Sequence, residues 1–199
     1  EVVREGPTTA VLDGHHGMGM VVAHRAMQMA IEKARTYGMG SVAVRNSTHF
    51  GIAGYYALMA VKAGMIGMAF TNARPATAPT FGVQPMLGTN PIAFGAPTDE
   101  DCPFLFDGST PNSQRGKIEV KVRQELPIPA GWVINQDNQS ITDPAEVMVG
   151  LDKGTAAFLP LGGEGETLAG YKGYGFGTMV ESLSASLQTG AFLYGLTGI

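Results

Sequence analysis

A single cysteine, Cys102, stands in the 199 residues. No disulfide can therefore close within the chain, and a free thiol fits a reducing compartment such as the cytoplasm. No uninterrupted apolar run of about 18 residues occurs, which argues against a transmembrane helix. Glu1 to Ala10 lack the apolar core of a signal peptide, although a leader preceding Glu1 would not be seen here. Basic residues are also scarce: 13 Lys and Arg stand against 17 Asp and Glu, a net charge of −4. With no Lys/Arg block and no basic–aromatic stripe, neither nucleic acid nor a membrane is an expected partner. Metal-binding signatures are missing too. There are four histidines, no H-E-x-x-H and no Cys/His cluster, so no metal is expected, and adjacent His15 and His16 fit a tight turn better than a ligand pair. Nor is there a dinucleotide fingerprint, because the glycines of Asp13-Gly-His-His-Gly-Met-Gly19 fall in the wrong order for G-x-G-x-x-G.

What is abundant is glycine, 28 residues without a collagen period or any other repeat. At 44% apolar and 15% charged residues the chain is globular, so this glycine implies tight turns and close backbone approaches. Apolar Met20, Ala23, Met27, Ala30, Ile31 and Ala34 recur at three- and four-residue spacing and predict a helix over 20–37, stopped by Gly38 and Gly40. A short strand over 41–45, a helix over 52–63 closed by Gly64, and a strand over 65–71 follow. Pro75, Pro79 and Pro85 make 72–87 an irregular loop. Further short strands are read at 91–96 and 104–106 and a helix at 113–125, ended by Pro127 and Pro129 and followed by Gly131-Trp-Val-Ile134. Thr142-Asp-Pro144 is a capped helix start. A glycine-rich loop over 162–173 then precedes a helix over 174–187. The class is α/β.

Three runs carry possible chemistry. In Arg45-Asn-Ser-Thr-His-Phe-Gly51 a histidine sits among small polar residues at a strand end, before a helix N-terminus. His49 is placed there for proton transfer, or else it caps the helix; the helix N-terminus also favours an anion. Gly170-Tyr-Lys-Gly-Tyr-Gly-Phe-Gly177 offers backbone N–H groups and the charge of Lys172 to an anion, or is a flexible turn. Asp107, ending a strand, either binds a ribose hydroxyl or caps a turn. The methionines of the first two helices read as core packing.

In order along the chain, Asn46-Ser-Thr-His-Phe-Gly-Ile-Ala-Gly-Tyr-Tyr56, Leu87-Gly-Thr-Asn-Pro-Ile-Ala-Phe-Gly-Ala-Pro97, Phe106-Asp107, Arg115-Gly-Lys117, Ile128-Pro-Ala-Gly-Trp132, Thr142-Asp-Pro144, Leu159-Pro-Leu-Gly-Gly163 and Gly170-Tyr-Lys-Gly-Tyr-Gly175 resemble the malate/L-lactate dehydrogenase family, which also holds ureidoglycolate and sulfolactate dehydrogenases. The collinear succession of these blocks is more specific than any one of them. The resemblance implies a mixed, largely antiparallel sheet with flanking helices and a cofactor domain that is not a Rossmann unit. It implies hydride transfer between NAD or NADP and a small 2-oxo or 2-hydroxy acid, in a homodimer. It also assigns His49 as the acid/base residue, and Gly51, Thr89, Asn90, Pro91, Asp107, Gly108, Ser109, Lys172 and Gly173 as cofactor-facing positions.

The departures are informative. Family members read Asp-Met-Ala-Thr-Ser where this chain has Asp107-Gly-Ser-Thr-Pro111, and Pro111 removes an N–H there. Lys117 stands where the imine-reductase branch carries an acid. Residues 1–199 are expected to hold the cofactor-binding domain and part of the substrate domain, without the family's N- and C-terminal segments. In family members, as the resemblance implies, an N-terminal segment bears a Ser-His-Gly run and an arginine for the substrate carboxylate. Only Arg45, Arg74 and Arg115 lie near the motifs here, and a guanidinium is the natural carboxylate partner. The alternative function is a degenerate paralogue that binds dinucleotide or dimerises without turnover.

Overall fold

A computed structural model describes residues 1–196. The chain opens with β1 (Val2–Glu5) and β2 (Thr9–Asp13), an antiparallel pair. β3 (Ser41–Arg45) joins β2 in parallel, with Ala10 opposite Val42 and Asp13 opposite Arg45. The crossover between them is α1 (Gly19–Tyr37). It stops at Gly38, whose φ of 83° turns the chain left-handed while its N–H donates to Ala34 O at 2.8 Å. Strand β1 was not foreseen: Val2–Glu5 is exposed throughout and carries no alternating pattern.

α2 (Ala53–Lys62) leads out of this sheet into a second one. There β4 (Gly67–Phe70), β5 (Ile92–Ala96) and β6 (Phe104–Gly108) pair antiparallel in the order β4-β5-β6. Side chains alternate across a strand, so Gly67, Ala69, Ala93 and Gly95 share one face. Ala93 is buried there with Ala53 and Ala57 of α2, and small residues on both partners let helix and sheet approach closely. The opposite face is large and apolar, with Met68, Phe94 and Phe106 in register; Met68 and Phe106 are each 49% exposed. The helix–strand–helix–strand order therefore does not build one sheet. β3 and β4 lie in different sheets, and among the named strands only β2 and β3 run parallel. The mixed, mainly antiparallel α/β class is as expected.

The largest buried cluster lies around a third sheet. α3 (Arg115–Gln124), α4 (Pro144–Lys153) and the antiparallel pair β7 (Val133–Asn135) and β8 (Ala156–Phe158), joined through α4, enclose Ile118, Val133, Val147 and Phe158, all at most 1% exposed. Each side chain of this size stabilises the fold by about 1.5–3 kcal/mol when fully buried. α4 begins as read: Ala145 N donates to Asp143 Oδ1 at 2.9 Å, and Pro144 occupies the first turn.

α5 (Gly170–Ser186) differs from expectation, since it starts four residues earlier and takes the glycine-rich run into its first turns. A Cβ at Gly170 would strike the Gly163 carbonyl, and one at Gly173 the Leu161 backbone. These glycines let the helix sit against the 160–163 turn, and this packing overrides their low helix propensity.

Candidate active site

β2 and β3 run parallel and end at the same level, so the turn after Asp13 and the loop after Arg45 leave the sheet side by side. Gly14 N donates to Arg45 O (2.9 Å), and His16 N to Asn46 O (2.7 Å). Further on, Gly19 N donates to Thr48 Oγ1 (2.9 Å), and that hydroxyl donates to Gly17 O (3.0 Å). Gly19 is a close-approach glycine: a Cβ there would overlap the Thr48 and His49 carbonyls. The Asp13–Gly19 run is thus a tight turn, as read, and it forms the floor beneath the His49 loop. The loop's far end is anchored by Tyr56, which is 3% exposed, donates its hydroxyl to Phe50 O and stacks on the Phe50 ring at 5.1 Å. Burial raises the Tyr56 phenol above its usual range, with the neighbouring Tyr55 adding to the shift, so it remains a donor.

His49 itself is exposed on this braced loop, and its Nδ1 accepts from Gly51 N at 3.1 Å. Behind it lies the N-terminus of α2, where Gly54 N donates to Asp107 Oδ2 at 2.7 Å. Asp107 therefore caps a helix rather than its own turn, and the positive end of α2, read as a place for an external anion, already faces an internal carboxylate. Asp107 Oδ1 has no hydrogen bond among the described residues.

The second group of expected residues lies along the same framework. Thr89 O accepts from Thr110 N (3.0 Å) and Thr110 Oγ1 (3.2 Å), next to Gly108 and Ser109. Asn90 is wholly buried. Its Oδ1 accepts from Ala73 N (3.1 Å), and its Nδ2 donates to Gly177 O (3.0 Å) and to Glu181 Oε2 (2.8 Å). Glu181, 6% exposed, also accepts from Asn72 Nδ2 (3.1 Å) and Leu193 N (2.9 Å) through Oε1. Asn90 thus turns its side chain inward, while Thr89 and Pro91 stay half-buried. Glu181 escaped the sequence reading. Its signal was being the one charged residue in the otherwise uncharged run 174–187.

Lys172 and Gly173 follow on α5. The first-turn amides there are already used: Lys172 N donates to Ala169 O (3.0 Å) and Gly173 N to Leu161 O (3.1 Å). The backbone cradle read from the alternating glycines is therefore not formed. Gly173 is buried, whereas Lys172 exposes its ammonium 6.0 Å from the Tyr171 ring. Of the three arginines, Arg45 pairs with Asp13 (3.0 Å), and Arg115 with Asp152 (2.6 Å) and Glu119 (3.1 Å). Arg74 is exposed and has no ion pair among the described residues. Two hollows of about 400 and 440 Å³ lie elsewhere, one lined from α1 and α2 and the other around Leu126 and Pro144; neither includes an expected site residue.

A family model described as malate/L-lactate dehydrogenase matches residues 1–198. The chain is 51% identical over 191 residues to malate dehydrogenase from Pyrococcus horikoshii, covering 96% of this chain and 51% of that protein. It is 43% identical to L-sulfolactate dehydrogenase from Methanocaldococcus jannaschii, covering 93% of this chain and 50% of that protein. The solved malate dehydrogenase of Entamoeba histolytica superposes with a TM-score of 0.96 at 47% identity, covering 98% of this chain and 54% of that one. The chain spans about half the length of the curated relatives it matches.

Proposed function

Since the chain belongs to the malate/L-lactate dehydrogenase family, we propose that it carries the proton-transfer residue and part of the cofactor site of an oxidoreductase acting on a small 2-hydroxy or 2-oxo acid of malate or L-lactate type. The observation that carries this reading is His49, an exposed imidazole on a loop braced from beneath by the 13–19 turn and from behind by Tyr56. When bound, NAD or NADP would exchange a hydride with C2 of the acid. The polar groups present suit such a cofactor: Oδ1 of Asp107, which has no partner among the described residues, to accept from a ribose hydroxyl, the Ser109 hydroxyl to bond another, and the Lys172 ammonium for a phosphate.

The residues of this chain handle the proton. The Gly51 N–H occupies Nδ1, so the neutral His49 ring carries its hydrogen on Nε2, the nitrogen left for substrate. Charging the ring adds a hydrogen at Nδ1, and the Gly51 peptide must then swing away, which its glycine, at φ 84°, allows. The charged ring gives its Nε2 proton to the oxygen of a 2-oxo acid in reduction and is left with its hydrogen on Nδ1; in oxidation this Nδ1–H form takes the hydroxyl proton at Nε2. Arg45 and Arg115 are engaged in ion pairs, and Arg74 acts electrostatically on Asp152, so the guanidinium for the substrate carboxylate is left to a part of the protein outside residues 1–199. Exposed Met20, Ile52 and Tyr55 surround the loop, and proton transfer needs water kept out. Their cover would come from further chain or from a second copy in a cytoplasmic homodimer.

The test uses the full-length polypeptide. NADH fluorescence reports binding, and absorbance at the reduced-nicotinamide band reports turnover with oxaloacetate and pyruvate. The His49→Ala variant should bind cofactor and lose turnover; retained turnover removes His49 from the mechanism. Binding without turnover on any 2-oxo acid would leave the dinucleotide-binding paralogue as the correct reading.

A further inference from the structure

We propose that Asp13 is the positioning residue of the His49 loop, its carboxylate setting where the imidazole stands; this rests on the reading of His49 just given. Nothing local in Asp13-Gly-His-His announces such a role. It follows from the parallel register, which sets Asp13 directly opposite Arg45, 32 residues away. The side chain is 9% exposed, and three donors converge on it. His15 N reaches Oδ1 at 2.9 Å, while Arg45 Nε and Asn46 Nδ2 reach Oδ2 at 3.0 and 2.9 Å. Two of the three belong to the residues where the chain leaves β3 and turns toward His49.

That exit is a conformation that needs holding. Asn46 takes φ 49°, in the left-handed region, and starts the reversal that brings Thr48 over Gly17 and Gly19. The bond from Asn46 Nδ2 to Asp13 fixes this residue, and the bond from Arg45 Nε fixes the one before it. Only a carboxylate serves all three donors, because it accepts at both oxygens and donates nothing. An amide at position 13 would aim an NH₂ group at one of them. The carboxyl of Asp13 is accordingly held at about 2, below its ordinary 3.8, mainly by the His15 N–H, with Asn46 and Arg45 adding to the effect against the opposing influence of burial. The same carboxylate neutralises Arg45, four residues from His49, so that this cation stays tied to the sheet.

A carboxylate that only stabilised the turn and one that positions His49 give different results. Misplacing a catalytic group by about 1 Å lowers turnover by about a hundredfold. In the full-length enzyme, Asp13→Asn should lower kcat by about ten- to a hundredfold. The NADH dissociation constant and the KM for the 2-oxo acid should stay within about threefold, because both oxygens of Asp13 are taken up by His15, Arg45 and Asn46. Asn46→Ala, which removes one of the three donors, should reduce kcat in the same direction but less. Asp13→Glu lengthens the side chain by a methylene and should not restore kcat, since the distance to β3 changes.

The second readout is the ring of His49, followed by its ¹H–¹⁵N couplings and assigned by loss of its signals in His49→Ala. In the wild type the neutral ring should be the Nε2–H tautomer; in Asp13→Asn it should become a mixture as the Gly51 contact loosens. Unchanged kcat with an unchanged tautomer pattern, alongside lowered stability, would overturn the proposal and make Asp13 a turn cap only. Should His49→Ala retain turnover, the proton-transfer reading of His49 fails, while the tautomer comparison still decides whether Asp13 holds the loop. Should Asp13→Asn not fold, Asn46→Ala decides by the same two criteria.

Discussion

Asn90 separates two roles that its sequence context leaves joined, cofactor contact and internal cross-link. In the structure its amide is fully buried and ties the 72–73 stretch, the turn before β5 and helix α5 together. Asn90→Ala removes three hydrogen bonds. One of them, to Glu181 Oε2, involves a charged acceptor and is worth about 1.5–3 kcal/mol. The Ala73 N–H loses its partner, and an unsatisfied buried donor costs about 1–3 kcal/mol. Asn90 also has φ 34°, on the left-handed side that Asn tolerates better than Ala. Water entering the vacated space offsets part of this, so the expected loss is about 3–5 kcal/mol, a large share of the roughly 5–15 kcal/mol that holds a domain together.

The assay is urea unfolding of the cofactor-free protein, with the midpoint shifted and the slope retained. Asn90→Asp is the sharper companion. It keeps the shape but places a carboxylate 2.8 Å from that of Glu181, and should be at least as destabilising at neutral pH. The reasoning is refuted if Asn90→Ala costs less than about 1 kcal/mol while weakening NADH binding. That outcome would return Asn90 to the cofactor and leave Glu181 without its main partner.

Removing the cap on α2 by Asp107→Ala should cost about 0.5–2 kcal/mol in urea unfolding, whereas Asp107→Asn, which keeps an acceptor for Gly54 N, should cost only the about 0.3–1 kcal/mol of charge against the helix end. The Ala variant should also bind NADH more weakly if Oδ1 holds a ribose hydroxyl; unchanged affinity would confine Asp107 to capping. Acid should narrow the stability gap between wild type and Asp13→Asn. The folded carboxyl is depressed from 3.8 to about 2, so its stabilisation is complete above the unfolded value and fades as pH falls between the two. A gap that stays constant across that window would mean the charge of Asp13 contributes nothing to the fold.

The elements set by neighbours in sequence were legible, and those set by distant pairing were not. α1 shows itself through three- and four-residue spacing and a left-handed Gly38, and α4 through Asp143 and Pro144. His49 stands out as a candidate because it sits among small polar residues at a strand end, before a helix N-terminus, although the same run suits a helix cap. The start of α5 was misread because glycine has two uses. The sequence leaves Gly170 and Gly173 as an anion cradle or a flexible turn, whereas the fold uses them for the absence of a Cβ against the 160–163 turn. No local pattern distinguishes these uses, since both need the same residue.

Asp13 and Glu181 are the same problem with charge. Each is an isolated acid that accepts from two side chains 32 or more residues away, Asp13 from Arg45 and Asn46 and Glu181 from Asn72 and Asn90. A buried carboxylate is costly unless its oxygens are satisfied. An acid set in an uncharged run, as Glu181 is, therefore implies that several backbone or amide donors converge on it from elsewhere in the fold. That inference identifies where distant segments meet, though not which ones. In this chain the two such acids lie beneath the two halves of the candidate site: Asp13 under the His49 loop, and Glu181 behind Thr89 to Pro91 and the helix that presents Lys172.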